Sequence, residues 1–441
     1  MESKFRTGVN ARIEMEMSTF RNIKLLRLCL AILCLPGAAA GQPAPDAMTT
    51  LDSADTAANI SRYEALISDL ESRYGAYHVD LSETLVGLGR AYQEKGDYAA
   101  AVSALQRSLH INRVNNGLYD SGQLPILSLL IEANKARRDW QALDQNYHYR
   151  YWITRRAYGE KDPRQLPALY DAAHWHLDAY YGGVDEYPLP HLLKAYDLYT
   201  RAVRILEANG GPDNPDLVTP LYATARTLYE MRQLAANFFA GEKTGISEDN
   251  RTGFNERTTD SENQLYAIVG NTFREGKQAL ERAIAIYRNH PELPAEERAA
   301  ALVHLGDWHL LYDKTGKALD NYHEVYSIAG SEEGLLKKID GLFSEPRSIP
   351  VLRLPDNGQP QQSPADKDAN VNYVIASFNV SETGRPFNIH ILEAKPANDA
   401  SMRRQARQDI RGTRFRPRFE KGQPVASTNV NFRYVFPGTL Q

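Results

Sequence analysis

Between Leu85 and Leu109 the apolar positions fall into two helical stripes. Leu85, Leu88, Gly89 and Tyr92 share one face of a first helix, spaced three to four residues apart. Gly96-Asp97 interrupts the pattern with residues that end and start helices. Ala101, Leu105, Ser108 and Leu109 then form the facing stripe of a second helix. Small residues at Gly89 and Ala101 allow close axial approach. Neither helix can bury its stripe alone, so the pair predicts further pairs stacked on it.

The spacing resembles a tetratricopeptide repeat. Leu88-Gly89, Tyr92, Gly96-Asp97-Tyr98, Ala101 and Leu105 occupy that family's characteristic places. A second copy carries Leu305-Gly306, Ala318 and Tyr322, with His309 where tyrosine is usual. A looser copy runs from Leu130 through Trp140 and Leu143 to Tyr147. Longer, interrupted pairs lie around Leu169–Leu206 and Leu221–Tyr287. The expectation is a helical repeat array over residues 60–344. Gly210 to Pro215 breaks it between helices. Residues 241–263 are too polar to fold alone and predict a loop. Tyrosines such as Tyr147, Tyr149, Tyr151, Tyr196 and Tyr199 are expected to pack the array or to line its groove.

Beyond the array the pattern changes period. Five prolines between Ser344 and Asn370 exclude helix and predict a linker over 345–370. From residue 371 the chain reads as a strand over Tyr373 to Val380, a Ser381–Gly384 turn and a strand over Pro386 to Leu392. A helix from Ala400 to about Arg411, capped by Asn398 or Asp399, follows. Phe415 to Phe419 is extended, Lys421-Gly422 turns, and Val425 to Phe436 is a long strand with Val430, Phe432, Tyr434 and Phe436 on one face.

This order is similar to the C-terminal domain of TonB-type energy transducers. The shared marks are Gly384 between two strands, the helix, Phe415-Arg416-Pro417, and Gly422-Gln423-Pro424-Val425 leading to an aromatic-rich last strand. The resemblance implies a small α+β domain over 371–441. It also implies docking by strand addition to an extended segment of an outer-membrane transporter. The docking strand it implies is Asn429, Val430, Asn431, Phe432, Arg433 and Tyr434. Fold class is therefore expected to be mainly α, a repeat array followed by a TonB-like α+β tail.

The N-terminus predicts export. Arg21, Lys24 and Arg27 precede a short apolar run from Leu28 to Leu35, and Ala38-Ala39-Ala40 offers a cleavage site. Residues 1–40 read as a signal peptide and 41–59 as a flexible lead-in. Export through the inner membrane gives a periplasmic location. An uncleaved segment would instead anchor the chain, the alternative being a genuine transducer. Against that stand the short apolar run, the absence of histidine before His78 and the modest linker.

Composition narrows the chemistry. The net charge of −4 does not suggest nucleic-acid binding. The only cysteines, Cys29 and Cys34, lie within the leader. His174-Trp175-His176 invites a metal, but positions i and i+2 diverge on a helix and no His-Glu-x-x-His accompanies them. Lys243-Thr244-Gly245 and Lys314-Thr315-Gly316 lack any Ser-x-x-Lys, and no Walker loop or dinucleotide fingerprint occurs. No enzyme, cofactor or metal site is expected. Arg403, Arg404, Arg407, Arg411 and Arg414 form a basic cluster, either a solvated helix face or a patch for acidic surfaces. The expected partners are proteins or peptides. The function expected is a scaffold whose array holds one partner while the tail pairs with another.

Overall fold

The computed structural model describes residues 45–185, 188–242, 256–330, 332–349 and 372–436. The leader therefore lies outside the described residues, as do 243–255 of the polar loop, 350–370 of the linker, and 371 and 437–441 at the ends of the tail. The chain divides into two compact units, one ending at Trp175 and one beginning at His176.

The first unit is a run of antiparallel helices: α1 (Pro45–Tyr74), α2 (Asp80–Lys95), α3 (Tyr98–Asn116), α4 (Gln123–Arg137), α5 (Trp140–Tyr158) and the start of α6 (Leu166–Gly182). Helix starts at Pro45, so the later part of the segment read as a flexible lead-in is helical. The first repeat forms as its spacing predicts, with α2 and α3 as its two helices. A Cβ on Gly89 would lie 2.7 Å from the Leu105 side chain, so glycine there sets how closely the helices approach. Helix α3 has two apolar faces. Ala104 and Ile111 join Leu81, Leu85 and Leu88 in one core, while Leu105 and Leu109 join Leu127, Leu130 and Ile153 in the next. One helix shared between successive cores explains why a single pair cannot stand alone.

The turns within hairpins repeat one device. Gly96 is left-handed, and Asp97 caps α3 by accepting from the Ala100 amide at 3.1 Å. In the looser copy Arg138 takes the left-handed place (φ 56°), and Asp139 accepts from the Ala142 amide. Turns between hairpins repeat another. Gly75, Gly117 and Gly159 are equally spaced and have φ of 90°, 90° and 95°. Three residues on, Asp120 and Asp162 accept from the amides of Gly122 and Arg164. Gln123 and Gln165, both buried, reach back to the carbonyls of Gly117 and Gly159.

The second unit holds the rest of α6, α7 (Leu189–Gly210), α8 (Val218–Glu242), α9 (Glu256–Asn289), α10 (Ala295–Leu311), α11 (Thr315–Ala329) and α12 (Glu333–Phe343). Gly211 and Asn214 rebuild the same inter-hairpin turn before α8. Helices α8 and α9 extend into the segment read as a polar loop, taking in 241–242 and 256–263. The last repeat is α10 with α11. A Cβ on Gly306 would lie 2.3 Å from the Tyr322 ring, the counterpart of Gly89 against Leu105. His309, in the place of the usual tyrosine, is buried with Nδ1 2.8 Å from Asn321 Oδ1.

The tail carries β1 (Arg347–Ser348), β2 (Asn372–Val380), β3 (Pro386–Lys395), α13 (Ala400–Gly412), β4 (Phe415–Arg416), β5 (Arg418–Glu420), β6 (Gln423–Val425) and β7 (Ser427–Phe436). Strands β3, β2 and β7 form an antiparallel sheet in that order. Val374, Ala376, Phe378 and Val380 of β2 are fully buried on one face, against Met402, Ala406 and Ile410 of α13. Asp399 caps α13 by accepting from the Met402 amide. Strand β1 was not expected: the start of the predicted linker pairs with β4, Arg347 opposite Arg416 and Ser348 opposite Phe415.

Burial in the last repeat has a pH consequence. His304 Nδ1 is buried without a hydrogen-bond partner, and its ring lies edge-on to Tyr222. Desolvation pulls the imidazole down to about 4, against the pull of Asp307 and with that of Arg416. The folded chain thus holds His304 neutral while the unfolded chain protonates it near pH 6.5. Its contribution is present above about 6.5 and is lost as pH falls towards 4, by at most ~3 kcal/mol. Urea denaturation at pH 7 and pH 5 should show that loss in the wild type and a smaller one in His304→Gln.

Candidate functional site at the edge of the C-terminal sheet

Among the described residues strand β7 pairs with β2 on one side only, so it forms one margin of the sheet. Its side chains alternate as the sequence predicts. Val430, Phe432 and Tyr434 turn towards α13, and the Tyr434 hydroxyl donates to Asp409 at 2.7 Å. Asn431 and Arg433 lie on the opposite face, opposite Ser377 and Ile375. The Arg433 guanidinium sits 4.4 Å from the centre of the Tyr373 ring, and the Tyr373 hydroxyl donates to Glu393 of β3. Glu393, Tyr373 and Arg433 thus line up across the sheet.

Asn429 breaks the register. It has φ 57°, its amide donates to the Asn379 side chain at 3.1 Å, and the β2–β7 pairing shifts there. Asparagine tolerates the left-handed region better than most residues. A bulge at this place re-aims the strand that follows. All six residues of the expected docking strand therefore lie on β7, with the bulge at their start.

The five arginines of the expected basic cluster do not act as one patch. Arg404, Arg407 and Arg411 are exposed along α13. Arg403 donates to the Ala397 carbonyl, and Arg414 ion-pairs with Asp313 at 2.8 Å. Of the five, only Arg404, Arg407 and Arg411 present a solvated cationic face.

A buried ion pair joins the tail to the last repeat. Arg416, buried, donates to both oxygens of Asp307, at 2.9 Å from Nε and 2.5 Å from Nη2, and to the Leu342 carbonyl. The Tyr322 hydroxyl donates to Asp307 Oδ1 at 2.7 Å. Burial would lower the guanidinium's pKa, but the Asp307 carboxylate outweighs it and holds the group above the ordinary arginine value. Burial raises the Tyr322 phenol well above its usual range. Beside this pair Phe419 enters a nest of Tyr322, Tyr326 and Phe343, with ring centres 4.8 to 5.9 Å away. The carbonyl of Gly384, at φ 75°, accepts from the Phe415 amide. The tail is thus fixed to α10, α11 and α12. Phe415-Arg416-Pro417 stood out in the sequence, but nothing in the spacing paired it with Asp307.

Of the histidines singled out, His174 is exposed and His176 is buried, as i and i+2 on a helix require. The first unit holds a cavity of about 320 Å³ lined by Tyr119, Trp152, Arg155, Arg156, Gly159 and Glu160. Of the tyrosines singled out, Tyr151 and Tyr199 are buried in helical cores, while Tyr147, Tyr149 and Tyr196 are half-buried.

No protein-family model matches the chain. No curated protein matches it either. Among solved structures, a Podosopora anserina putative kinesin light chain of nearly identical TPR-like repeats is 16% identical. That match covers 58% of this chain and 98% of that one, with a TM-score of 0.35. BtubC (BKLC) from P. vanneervenii is 13% identical, covers 71% of this chain and 97% of that one, and has a TM-score of 0.31. The repeat architecture stands on the hairpins and turns of this chain.

Proposed function

We propose that the protein is a non-enzymatic interaction scaffold of the bacterial periplasm, built from tetratricopeptide-type hairpins and a TonB-like tail. The tail binds by adding an extended segment of a partner to β7, the partner being an outer-membrane transporter. The array holds a second protein or peptide. One observation supports the strand-addition role: among the described residues the sheet order β3-β2-β7 leaves β7 paired on one side. A strand margin offers a row of backbone donors and acceptors that another strand can satisfy.

A free-reaching transducer tail is the other reading of the same resemblance. The buried Arg416–Asp307 pair and the Phe419 nest favour the scaffold, because they tie the tail to the last repeat.

Successive amides of a strand point to opposite sides. Of Asn431→Pro and Phe432→Pro, one therefore removes an outward donor and the other disturbs pairing with β2. The variant that keeps a wild-type melting curve should lose transporter binding by at least about tenfold. Unchanged binding in that folded variant would rule out strand addition at β7.

A further inference from the structure

His176 belongs to the His174-Trp175-His176 run, and the fold brings to it His191, fifteen residues further on and in no motif. His176 lies in the second half of α6 and His191 in the first turn of α7. Both are buried, at 3% and 5% exposure, and their Nδ1 atoms face each other 3.0 Å apart. On the far side of His191, Nε2 lies 2.7 Å from Asp185 Oδ2. Asp185 itself is 59% exposed at its side chain, so the pair sits one residue in from solvent.

The carboxylate fixes a tautomer. Asp185 accepts the Nε2 proton of His191, which leaves a lone pair on Nδ1 directed at His176. This carboxylate–histidine arrangement is the one that orients and strengthens imidazole ligands of metal ions. The separation fits too. At nitrogen–zinc distances of about 2.0–2.1 Å, two ligands at right angles stand roughly 2.9 Å apart and two at the tetrahedral angle roughly 3.4 Å. The observed 3.0 Å lies in that interval. A pair without an ion needs a proton on one Nδ1 to separate the two lone pairs. A cation would take that proton's place.

We propose that His176 and His191 bind a borderline divalent cation of the zinc class through their Nδ1 atoms, with Asp185 as the supporting carboxylate. Water or a further carboxylate completes the coordination. The cation would join α6 to α7 at the start of the second unit. The site is independent of the strand-binding role of β7.

The test uses the full chain without a polyhistidine tag, stripped by chelator and titrated calorimetrically with zinc chloride. One equivalent should bind. His176→Gln and His191→Gln should each weaken it at least 100-fold, and Asp185→Asn about 10- to 100-fold. His174→Ala, at an exposed neighbour, should leave it unchanged. Zinc K-edge absorption of the loaded wild type should show two imidazole ligands, a result that does not depend on how the variants fold. Absence of stoichiometric binding, fewer than two imidazoles, or undiminished affinity in His191→Gln would overturn the assignment. The pair would then be a histidine–histidine hydrogen bond only.

Discussion

Asp307→Ala is expected to destabilise the second unit by about 3–5 kcal/mol, the usual cost of removing one partner from a buried ion pair. The carboxylate is 9% exposed and the guanidinium 11%, so neither is well solvated. Its removal strands the Arg416 charge beside the Phe343 ring, 5.7 Å from its centre, and takes the acceptor from the buried Tyr322 hydroxyl. Replacing both partners by apolar residues of similar volume, Asp307→Leu with Arg416→Met, should recover most of the loss, because no charge then stays buried. Equilibrium denaturation monitored by circular dichroism reads the difference. The two units can unfold in separate steps, so the shift should appear in one transition and leave the other in place. A loss under about 1 kcal/mol would mean that water reaches the pair and that it holds the tail only weakly.

The second large effect is expected at Phe419. Phe419→Ala should cost about 3–5 kcal/mol, the range for deleting a buried aromatic side chain. Phe419 is 6% exposed and touches rings from α11 and α12, so its removal opens a cavity where the tail meets the last repeat. The nest is rigid on the array side, since Tyr322 is held by both Gly306 and Asp307. Little collapse is available to fill the space. Limited proteolysis should show the tail released in this variant while the helices stay protected. Combined with Asp307→Ala, the loss should fall short of the sum, because both changes weaken one docking surface.

These two contacts mark where sequence reading stopped. The hairpin of α2 and α3 was legible because its determinants are local: apolar spacing, small Gly89, and the Gly96-Asp97 turn. The tail was equally legible, since alternation in β2 and β7 and the Asp399 cap are local too. The inter-hairpin turns carry a local signal as well. Gly75, Gly117, Gly159 and Gly211 each precede by three residues a side chain that accepts a nearby backbone amide. That recurrence was a sharper marker of the repeat than the loose Leu130-to-Tyr147 copy, where Arg138 fills the left-handed place usually given to glycine. The pairing of Arg416 with Asp307 was not legible, because it joins residues far apart in the chain. The cluster of arginines divided for the same reason: only the fold shows that Arg414 meets Asp313 while Arg404, Arg407 and Arg411 face solvent. The proposed docking strand lies between these cases. Its alternation could be read locally, but its place at the sheet margin depends on strand order. Among the described residues that order also makes β3 a margin, with Phe387 and Leu392 exposed on it.

The most direct test of the β7 role is site-specific photo-crosslinking in living cells. Probes would stand at Asn429 and Asn431 on β7, with controls at Phe387 and Leu392 on β3. Capture of an extended periplasmic segment of an outer-membrane transporter from the β7 positions, and not from β3, is the predicted result. Capture only from β3, or only of this protein's own helices from β7, would contradict it.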